Sequence, residues 1–201
     1  RSRALHHRYT EQIMERLVLT PDTLAPLRRG HPWVYTSGLE DPSALPPPGT
    51  PVQLVDSRGK PAAFGLSDKG PIAVRVLDRH PENLRTLMQR RIHDAHTLRP
   101  AVLPTDTNAY RMVHGEGDGL SGLVIDRYDH TAVLRLYAAC WEPYLEDITQ
   151  TIASMDGIHT VLRRFGVRRV DGKDGAEVLY GPDPGEPILV REAGLQFLAR
   201  P

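Results

Sequence analysis

The segment from Tyr110 to Tyr128 limits the folds open to this chain more than any other stretch. It reads YRMVHGEGDGLSGLVIDRY and places four glycines and two carboxylates between two apolar runs. Tyr110–Val113 predicts a short strand, and Leu123–Ile125 predicts a second one that ends in a turn beginning at Asp126. The glycines between the strands allow positive φ angles and a close approach of the backbone to another surface.

Part of this segment has the spacing of a dinucleotide-binding fingerprint, with glycines at 117, 119 and 122. That fingerprint follows a strand and opens a helix, because the helix N-terminus holds the pyrophosphate. Here Gly122 is followed by Leu-Val-Ile, which favours a strand. We therefore predict no nucleotide site in this loop.

Three ionisable residues, His114, Glu116 and Asp118, alternate with glycine or valine neighbours in the same loop. In an extended chain their side chains would share one face, as in a metal site or an acid–base cluster. The alternative is a solvated turn in which the carboxylates accept hydrogen bonds from local amides. We favour the turn and predict no metal.

The amino-acid composition limits the classes of protein to which this chain can belong. The chain has 201 residues, 40% of them hydrophobic, with 18 prolines and 17 glycines, which suits short strands and turns. The formal net charge is zero, so any nucleic-acid partner must use local basic patches. The single cysteine, Cys140, fits a reducing cytoplasmic location and a packed position. No apolar run is long enough to span a bilayer, so we expect no membrane partner.

The first part of the chain predicts an N-terminal arm at 1–15 and a small β-barrel at 16–80. Alternating apolar residues and turn signals define its elements. We predict strands at Arg16–Thr20, Pro51–Asp56, Ala62–Leu66 and Ile72–Leu77, with a short helix at Pro21–Leu27.

In the second part of the chain, the spacing of the apolar residues changes from that of strands to that of a helix. Apolar residues three or four apart predict an amphipathic connecting helix at 81–99, which starts near Pro81 and ends before a loop at Arg99–Ala109. Residues 100–201 then predict a central α+β domain. We predict strands at Thr131–Tyr137, Thr160–Arg163 and Ala176–Tyr180, a helix at Trp141–Met155, and a hairpin of Ile188–Glu192 with Leu195–Leu198.

Two basic segments are candidates for RNA contact, because guanidinium groups pair with phosphate and aromatic rings stack on exposed bases. One contains Arg28, Arg29 and His31 beside Trp33 and Tyr35. In the alternative interpretation the two aromatic residues face a core and the arginines are only solvated. The remaining candidates are Arg75, set among apolar residues, and Arg163, Arg164, Arg168 and Arg169 around a glycine.

Three segments resemble a known family. They are RRGHPWVY at 28–35, the glycine-rich segment at 110–128, and VREAGLQF at 190–197. The resemblance is to the SAM-dependent ribosomal RNA cytosine-C5 methyltransferases that carry an N-terminal PUA domain. It covers nearly the whole chain from about residue 16, and it implies a PUA-like RNA-binding domain followed by a central α+β domain.

The resemblance also implies what these residues do. Ribosomal RNA is the expected partner, specifically cytosine C5 of the large-subunit RNA, and SAM is the cofactor of the full-length family. We expect the Rossmann-like catalytic domain to be absent here, with no catalytic residue and no cofactor in this chain, which is then inactive alone. Five residues match the family's central motif and are expected to be structural or to line a cleft: Arg111, Glu116, Asp118, Asp126 and Arg127.

Two other functions stay open. One is a self-sufficient metal-dependent enzyme that uses His114, Glu116 and Asp118. The other is a structural module that forms a homodimer. An exposed apolar patch near Ile188–Leu198 would support this function.

Overall fold

The computed structural model describes residues 14–165, 175–185 and 187–201. Contacts between Cα atoms divide the chain into two compact units, one up to Pro81 and one from Glu82 onward. The first unit is rich in strands, and the second is mixed α+β. In these described ranges, no helix is both long and apolar enough to cross a bilayer.

The first unit contains the predicted elements in the predicted order, together with an unpredicted strand at 33–35 and short 3-10 turns at 36–38 and 42–44. Its strands and helix are β1 (Glu15–Val18), α1 (Pro21–Arg28), β2 (Trp33–Tyr35), β3 (Pro51–Val55), β4 (Pro61–Ser67) and β5 (Ile72–Asp78).

These strands form one sheet in the order β1-β3-β4-β5-β2, in which β1 runs parallel to β3 and the other pairs are antiparallel. The segment after β2 returns to β1, where the Glu40 N–H donates to the Val18 carbonyl at 2.9 Å and Leu19 bridges Leu39. Joining the two edges occupies backbone groups that an open sheet would expose. The sheet therefore has the barrel-like form expected from the sequence.

The core of this unit comes from the inward-facing residues of the sheet and one side of α1. Leu19, Val34, Leu54 and Val74 are fully buried in it, and Leu27 of α1 packs on the same cluster. Several of their neighbours along β3 and β5 are buried as well, among them Val55 and Ala73, so both faces of these strands are covered.

The second unit contains longer elements and two further 3-10 segments at 115–118 and 139–144. Its helices and strands are α2 (Leu84–Val102), β6 (Ala109–His114), β7 (Leu123–Tyr128), β8 (Thr131–Leu136), α3 (Leu145–Ala153), β9 (Thr160–Arg164), β10 (Ala176–Tyr180), β11 (Ile188–Glu192) and β12 (Leu195–Ala199).

Five of these strands form a sheet in the order β10-β9-β8-β7-β6, and β11 pairs with β12 as a separate hairpin. β8 and β9 are parallel, and α3 lies between them in the chain. A parallel pair needs such a crossover connection, whereas the antiparallel pairs are joined by short turns. Both helices pack in this unit, where α2 contacts α3 and β6.

The helices differ from the prediction at their ends. α2 begins at Leu84 because the Asn83 side chain caps it by accepting the Thr86 N–H at 3.0 Å, so Pro81 lies outside the helix. It continues to Val102 into the segment predicted as a loop. α3 begins only at Leu145, since Pro143 has no N–H to donate to the preceding turn and the chain there forms a 3-10 segment.

β7 is also longer than predicted. The residues from Asp126 to Tyr128, predicted as a turn, continue the strand and pair with β6 on one side and β8 on the other. The turn is confined to Asp129 and His130, where Asp129 has a φ of +53°. Pairing on both sides outweighs the local turn preference of Asp and places Asp126 in the middle of the sheet.

Candidate functional site

Three aromatic rings lie side by side at β2 of the first unit. The ring centroid of Trp33 is 5.7 Å from that of His31 and 6.4 Å from that of Tyr35, both edge-to-face. Val34 between them is fully buried, whereas Tyr35 is 43% exposed and Trp33 is half-buried. The strand therefore turns an apolar side chain inward and its aromatic face outward, against the alternative in which Trp33 and Tyr35 face the core.

Two exposed arginines, Arg28 and Arg29, end α1 directly before this aromatic face. The chain turns there because Gly30 adopts a φ of +91° and its N–H donates to the Leu27 carbonyl at 3.0 Å. Helix α1 packs against β2, which keeps the arginines near the rings. Exposed guanidinium groups and a neighbouring aromatic face are the elements with which proteins bind single-stranded RNA.

Arg75 is the exception among the predicted RNA contacts of this unit. It is 8% exposed on β5, and its Nε donates to Asp68 Oδ2 at 2.6 Å. Asp68 is 3% exposed. This buried ion pair uses Arg75 within the unit, because a charge removed from water needs a partner there. We therefore leave Arg75 out of the RNA-binding surface.

The loop between β6 and β7 forms a 3-10 turn and is not extended, so His114, Glu116 and Asp118 do not share one face. Asp118 Oδ2 accepts from Arg99 Nη2 at 2.5 Å and from the His114 N–H at 2.6 Å. Glu116 Oε1 accepts from the Ser121 hydroxyl at 2.8 Å. These contacts match the turn interpretation. Within the described ranges, no three His, Cys, Asp or Glu side chains are arranged to hold a metal ion.

Two arginines of α2 hold this loop in place. Arg99 binds Asp118, and Arg91 Nη1 donates to the Gly119 carbonyl at 2.7 Å. Gly119 has a φ of +70°, which favours glycine. Neither arginine is among the residues predicted from the sequence to have a functional role. Their spacing of eight residues, about two helical turns, was the signal that they share one face of α2.

An open cleft of about 730 Å³ lies on the β6–β8 side of the second unit. Arg111 of β6 pairs with Asp126 of β7 through Nε and Oδ1 at 2.8 Å, and Arg135 Nη1 lies 3.6 Å from Asp126 Oδ2. Hydrogen bonding to Asp126 raises the pKa of Arg111. Glu192 and Phe197 of the hairpin also line the cleft. Two central-motif residues, Arg111 and Asp126, are thus brought together here.

Arg127, next to Asp126 in the chain, also lines this cleft, and its guanidinium group forms further bonds within the unit. Its Nε donates to the Asp129 carbonyl at 2.7 Å and its Nη2 to the Gly157 carbonyl at 3.2 Å. These bonds tie the β7–β8 turn to the segment after α3. Arg127 is therefore a structural residue of the second unit.

The second basic segment is only partly described. Arg163 forms a two-point ion pair with Glu142, with Nη1 donating to Oε2 at 2.9 Å, and its guanidinium lies 4.7 Å from the centre of the Phe165 ring. Arg164 is half-buried. Arg168 and Arg169 lie outside the described residues. Arg163 thus has partners within the chain, which makes its guanidinium group less available for contact with RNA.

Comparison with known proteins gives a domain and a set of relatives. Residues 17–79 match the family model of a PUA-like domain. The chain is 35% identical over 186 residues to a ribosomal RNA large subunit methyltransferase of Deinococcus radiodurans, covering 86% of this chain and 46% of the relative. It is 32% identical over 197 residues to ribosomal RNA large subunit methyltransferase I of Klebsiella pneumoniae, covering 94% and 49%. The chain therefore spans about half the length of the curated relatives it matches.

Solved structures share the fold. A protein of Streptococcus mutans classed as a SAM-dependent methyltransferase aligns with a TM-score of 0.77 at 17% identity, covering 92% of this chain and 48% of that one. A methyltransferase structure in complex with SAH aligns with a TM-score of 0.78 at 18% identity, covering 92% and 47%. At the level of a PUA-like domain and ribosomal RNA methyltransferase relatives, the resemblance seen in the sequence is confirmed.

Proposed function

We propose that this chain is the RNA-recognising part of a SAM-dependent methyltransferase that modifies cytosine C5 of large-subunit ribosomal RNA in the cytoplasm. The observation that carries the proposal is the aromatic face of His31, Trp33 and Tyr35 beside the exposed Arg28 and Arg29. It lies within the PUA-like domain. The names of the relatives support ribosomal RNA as the partner.

In this proposal the two kinds of side chain have separate tasks. The arginines neutralise backbone phosphates, which supplies affinity that depends on salt and not on sequence. The ring of Tyr35 accepts an unstacked base, which favours single-stranded RNA over a duplex. His31 Nδ1 lies 3.0 Å from the Trp33 carbonyl oxygen and supports the geometry of the face.

We assign methyl transfer to a SAM-binding domain that the described residues do not include. In the Rossmann-like domain that the resemblance implies, the ligand would be held by a strand, a glycine-rich loop and a helix N-terminus. The glycine-rich segment of this chain instead joins β6 to β7 through a 3-10 turn, so we assign no SAM contact to it.

The test is binding of a fluorescein-labelled single-stranded RNA from the large-subunit ribosomal RNA, measured by fluorescence anisotropy over a salt series. Replacing both Arg28 and Arg29 with Ala should weaken binding and lower the slope of log affinity against log salt by about 1.4, since each contact with a single strand contributes about 0.7. Tyr35→Ala should weaken binding by about 1–3 kcal/mol through lost stacking.

The matched control is the double change of Arg58 and Lys60 to Ala. Both are exposed in the β3–β4 turn of the same unit, so the change removes the same charge away from the aromatic face. The control should leave the affinity close to that of the wild type. Equal losses for both double variants would contradict a specific surface at Arg28 and Arg29.

Self-association is the second candidate function, and one observation favours it. The β11–β12 hairpin exposes four apolar side chains, Leu189, Leu195, Phe197 and Leu198, the last of them 72% exposed. The register places Leu189 and Leu198 on one face of the hairpin and Leu195 and Phe197 on the other, and exposed apolar faces of this kind are typical of an interaction site. Sedimentation velocity at several concentrations should detect a dimer, and Leu198→Glu should abolish it. A monomer at every concentration would rule this function out.

A further inference from the structure

The cleft on the β6–β8 side contains more arginine side chains than are needed to pair with its buried carboxylate. Arg111 and Arg135 approach one carboxylate, Asp126, from opposite neighbouring strands. Asp126 is 6% exposed, whereas the side chains of Arg111 and Arg135 are 42% and 30% exposed. One buried carboxylate therefore holds two guanidinium groups that both still reach solvent.

The strand register places a third ionisable group on the same face. Val124 of β7 pairs with His114 of β6 on one side and with Arg135 of β8 on the other. Side chains of directly opposite residues lie on the same face of a sheet. His114 Nδ1 lies 3.4 Å from Arg111 Nη1 on the same strand, so His114 and Arg111 of β6 and Arg135 of β8 form one cluster over β7.

An exposed aromatic ring lies close to this cluster. Tyr137 directly follows the end of β8. It is 66% exposed and interacts electrostatically with Arg111. Its backbone is held by the bond from its N–H to the Gly122 carbonyl at 2.8 Å. A fixed, exposed tyrosine beside two arginines is uncommon as a purely structural arrangement, because large aromatic side chains are usually well buried.

We infer that Arg111, Arg135 and Tyr137 together form a second RNA-binding site, located on the second unit and specific for a single strand. The inference rests on the proposed function and extends it by naming a contact outside the PUA-like domain. The guanidinium groups bind a backbone phosphate, and the Tyr137 ring stacks on the adjacent base.

The charge pattern explains why the ligand is a nucleic-acid strand. Asp126 orients the two arginines before the ligand arrives, which reduces the ordering needed on binding. The cleft is lined by three arginines, Arg111, Arg127 and Arg135, against the carboxylates of Asp126 and Glu192, which leaves one net positive charge for a phosphate. Glu192 also lines the cleft and repels an anion there, so the phosphate belongs at the end of the cleft near Arg135. A flat ring without a pocket is tolerant of base identity, so the site adds affinity without reading sequence.

The test uses the full chain and the same labelled RNA. Tyr137→Ala should weaken binding about 5- to 150-fold, whereas Tyr137→Phe, which keeps the ring, should bind like the wild type. Arg135→Ala should weaken binding and lower the salt slope by about 0.7. We choose to replace Arg135 and not Arg111, because Asp126 then keeps its hydrogen bond to Arg111.

Two controls match these variants within the second unit. Tyr180 is a 45% exposed tyrosine on β10, and Arg85 is an exposed arginine paired with Asp147 at 2.9 Å; neither lines the cleft. Replacing either with Ala should leave the affinity unchanged. A duplex of the same sequence should show no loss with Tyr137→Ala, because its bases are already stacked.

Two outcomes would overturn the inference. The first is wild-type affinity in both Tyr137→Ala and Arg135→Ala while the Arg28 and Arg29 double variant binds weakly, which leaves the proposed function standing. The second is displacement of RNA by excess inorganic phosphate at constant ionic strength, which would make the cleft a site for free anions. If the wild-type chain binds no RNA at all, both the inference and the proposed function fail.

Discussion

Arg99 Nη2 donates to Asp118 Oδ2 across 2.5 Å, which links helix α2 to the glycine-rich loop that precedes β7. The side chains are 17% and 11% exposed, so the pair is largely shielded from water. The loop is thus held by the helix as well as by its own turn. Asp118, whose carboxylate was a candidate metal ligand in the sequence, therefore accepts hydrogen bonds that hold the loop in place.

Removing this carboxylate should loosen the loop. Asp118→Ala leaves both the Arg99 guanidinium and the His114 N–H without their acceptor, and it should lower the free energy of unfolding by about 2 kcal/mol. Urea denaturation measures the loss, and faster hydrogen exchange at the His114 amide localises it. Asp94→Ala, which removes an exposed carboxylate of α2, serves as the control. Equal stability and equal exchange in Asp118→Ala and the wild type would refute this role.

A second prediction concerns Gly65, in the middle of the first sheet. A Cβ at this position would lie 2.4 Å from the Arg75 carbonyl oxygen and 2.9 Å from Val74 Cγ1. Backbone of a neighbouring strand cannot move aside without breaking the ladder, so Gly65→Ala should cost at least about 3 kcal/mol. Gly59→Ala is the control, because a Cβ there meets nothing within 4 Å and the cost is confined to its φ of +76°, about 1 kcal/mol. Thermal unfolding of both variants tests the difference, and similar losses would contradict the steric argument.

A third prediction concerns pH and His96 of α2. Its Nδ1 is buried without a hydrogen-bond partner among the described residues. Burial first, and then the positive charges of Arg127 and His93, lower the pKa of His96 from its ordinary value of 6.5, while Asp156 partly opposes them. The unfolded chain therefore binds a proton more readily than the folded one. The free energy of unfolding should fall as the pH drops from about 6.5 to the lowered pKa, and then level off.

His96→Leu should remove this part of the pH dependence. Urea unfolding of the wild type and of His96→Leu at neutral and mildly acidic pH measures it, with His80→Gln, an exposed histidine of the first unit, as the control. A wild-type slope in His96→Leu would show that another group is responsible.

Local sequence determined most of the secondary structure. The apolar period of Leu84 to Ala95 predicted α2, and alternating apolar residues predicted β3, β4, β5 and β8. Apart from the unpredicted strand β2, the errors were at element ends, where a single residue determines the boundary. Asn83 caps α2 later than Pro81 suggested, and Pro143 delays α3. Such ends depend on single hydrogen bonds, which an average over a window of residues does not register.

The sequence by itself also determined which residue types could contact RNA, namely the arginines and aromatic residues at 28–35 and the motif at 110–128. Only the tertiary structure decided which of them are free to do so. Arg28 and Arg29 are exposed, while Arg75, of the same residue type, is buried against Asp68. Arg135 and Tyr137 belong to no motif and join Arg111 only because β6, β7 and β8 pair in register. Charge and aromaticity are properties of the residue type. The solvent exposure and the neighbours of a side chain depend on the packed sheet, because strand pairing brings together residues that are distant in the chain.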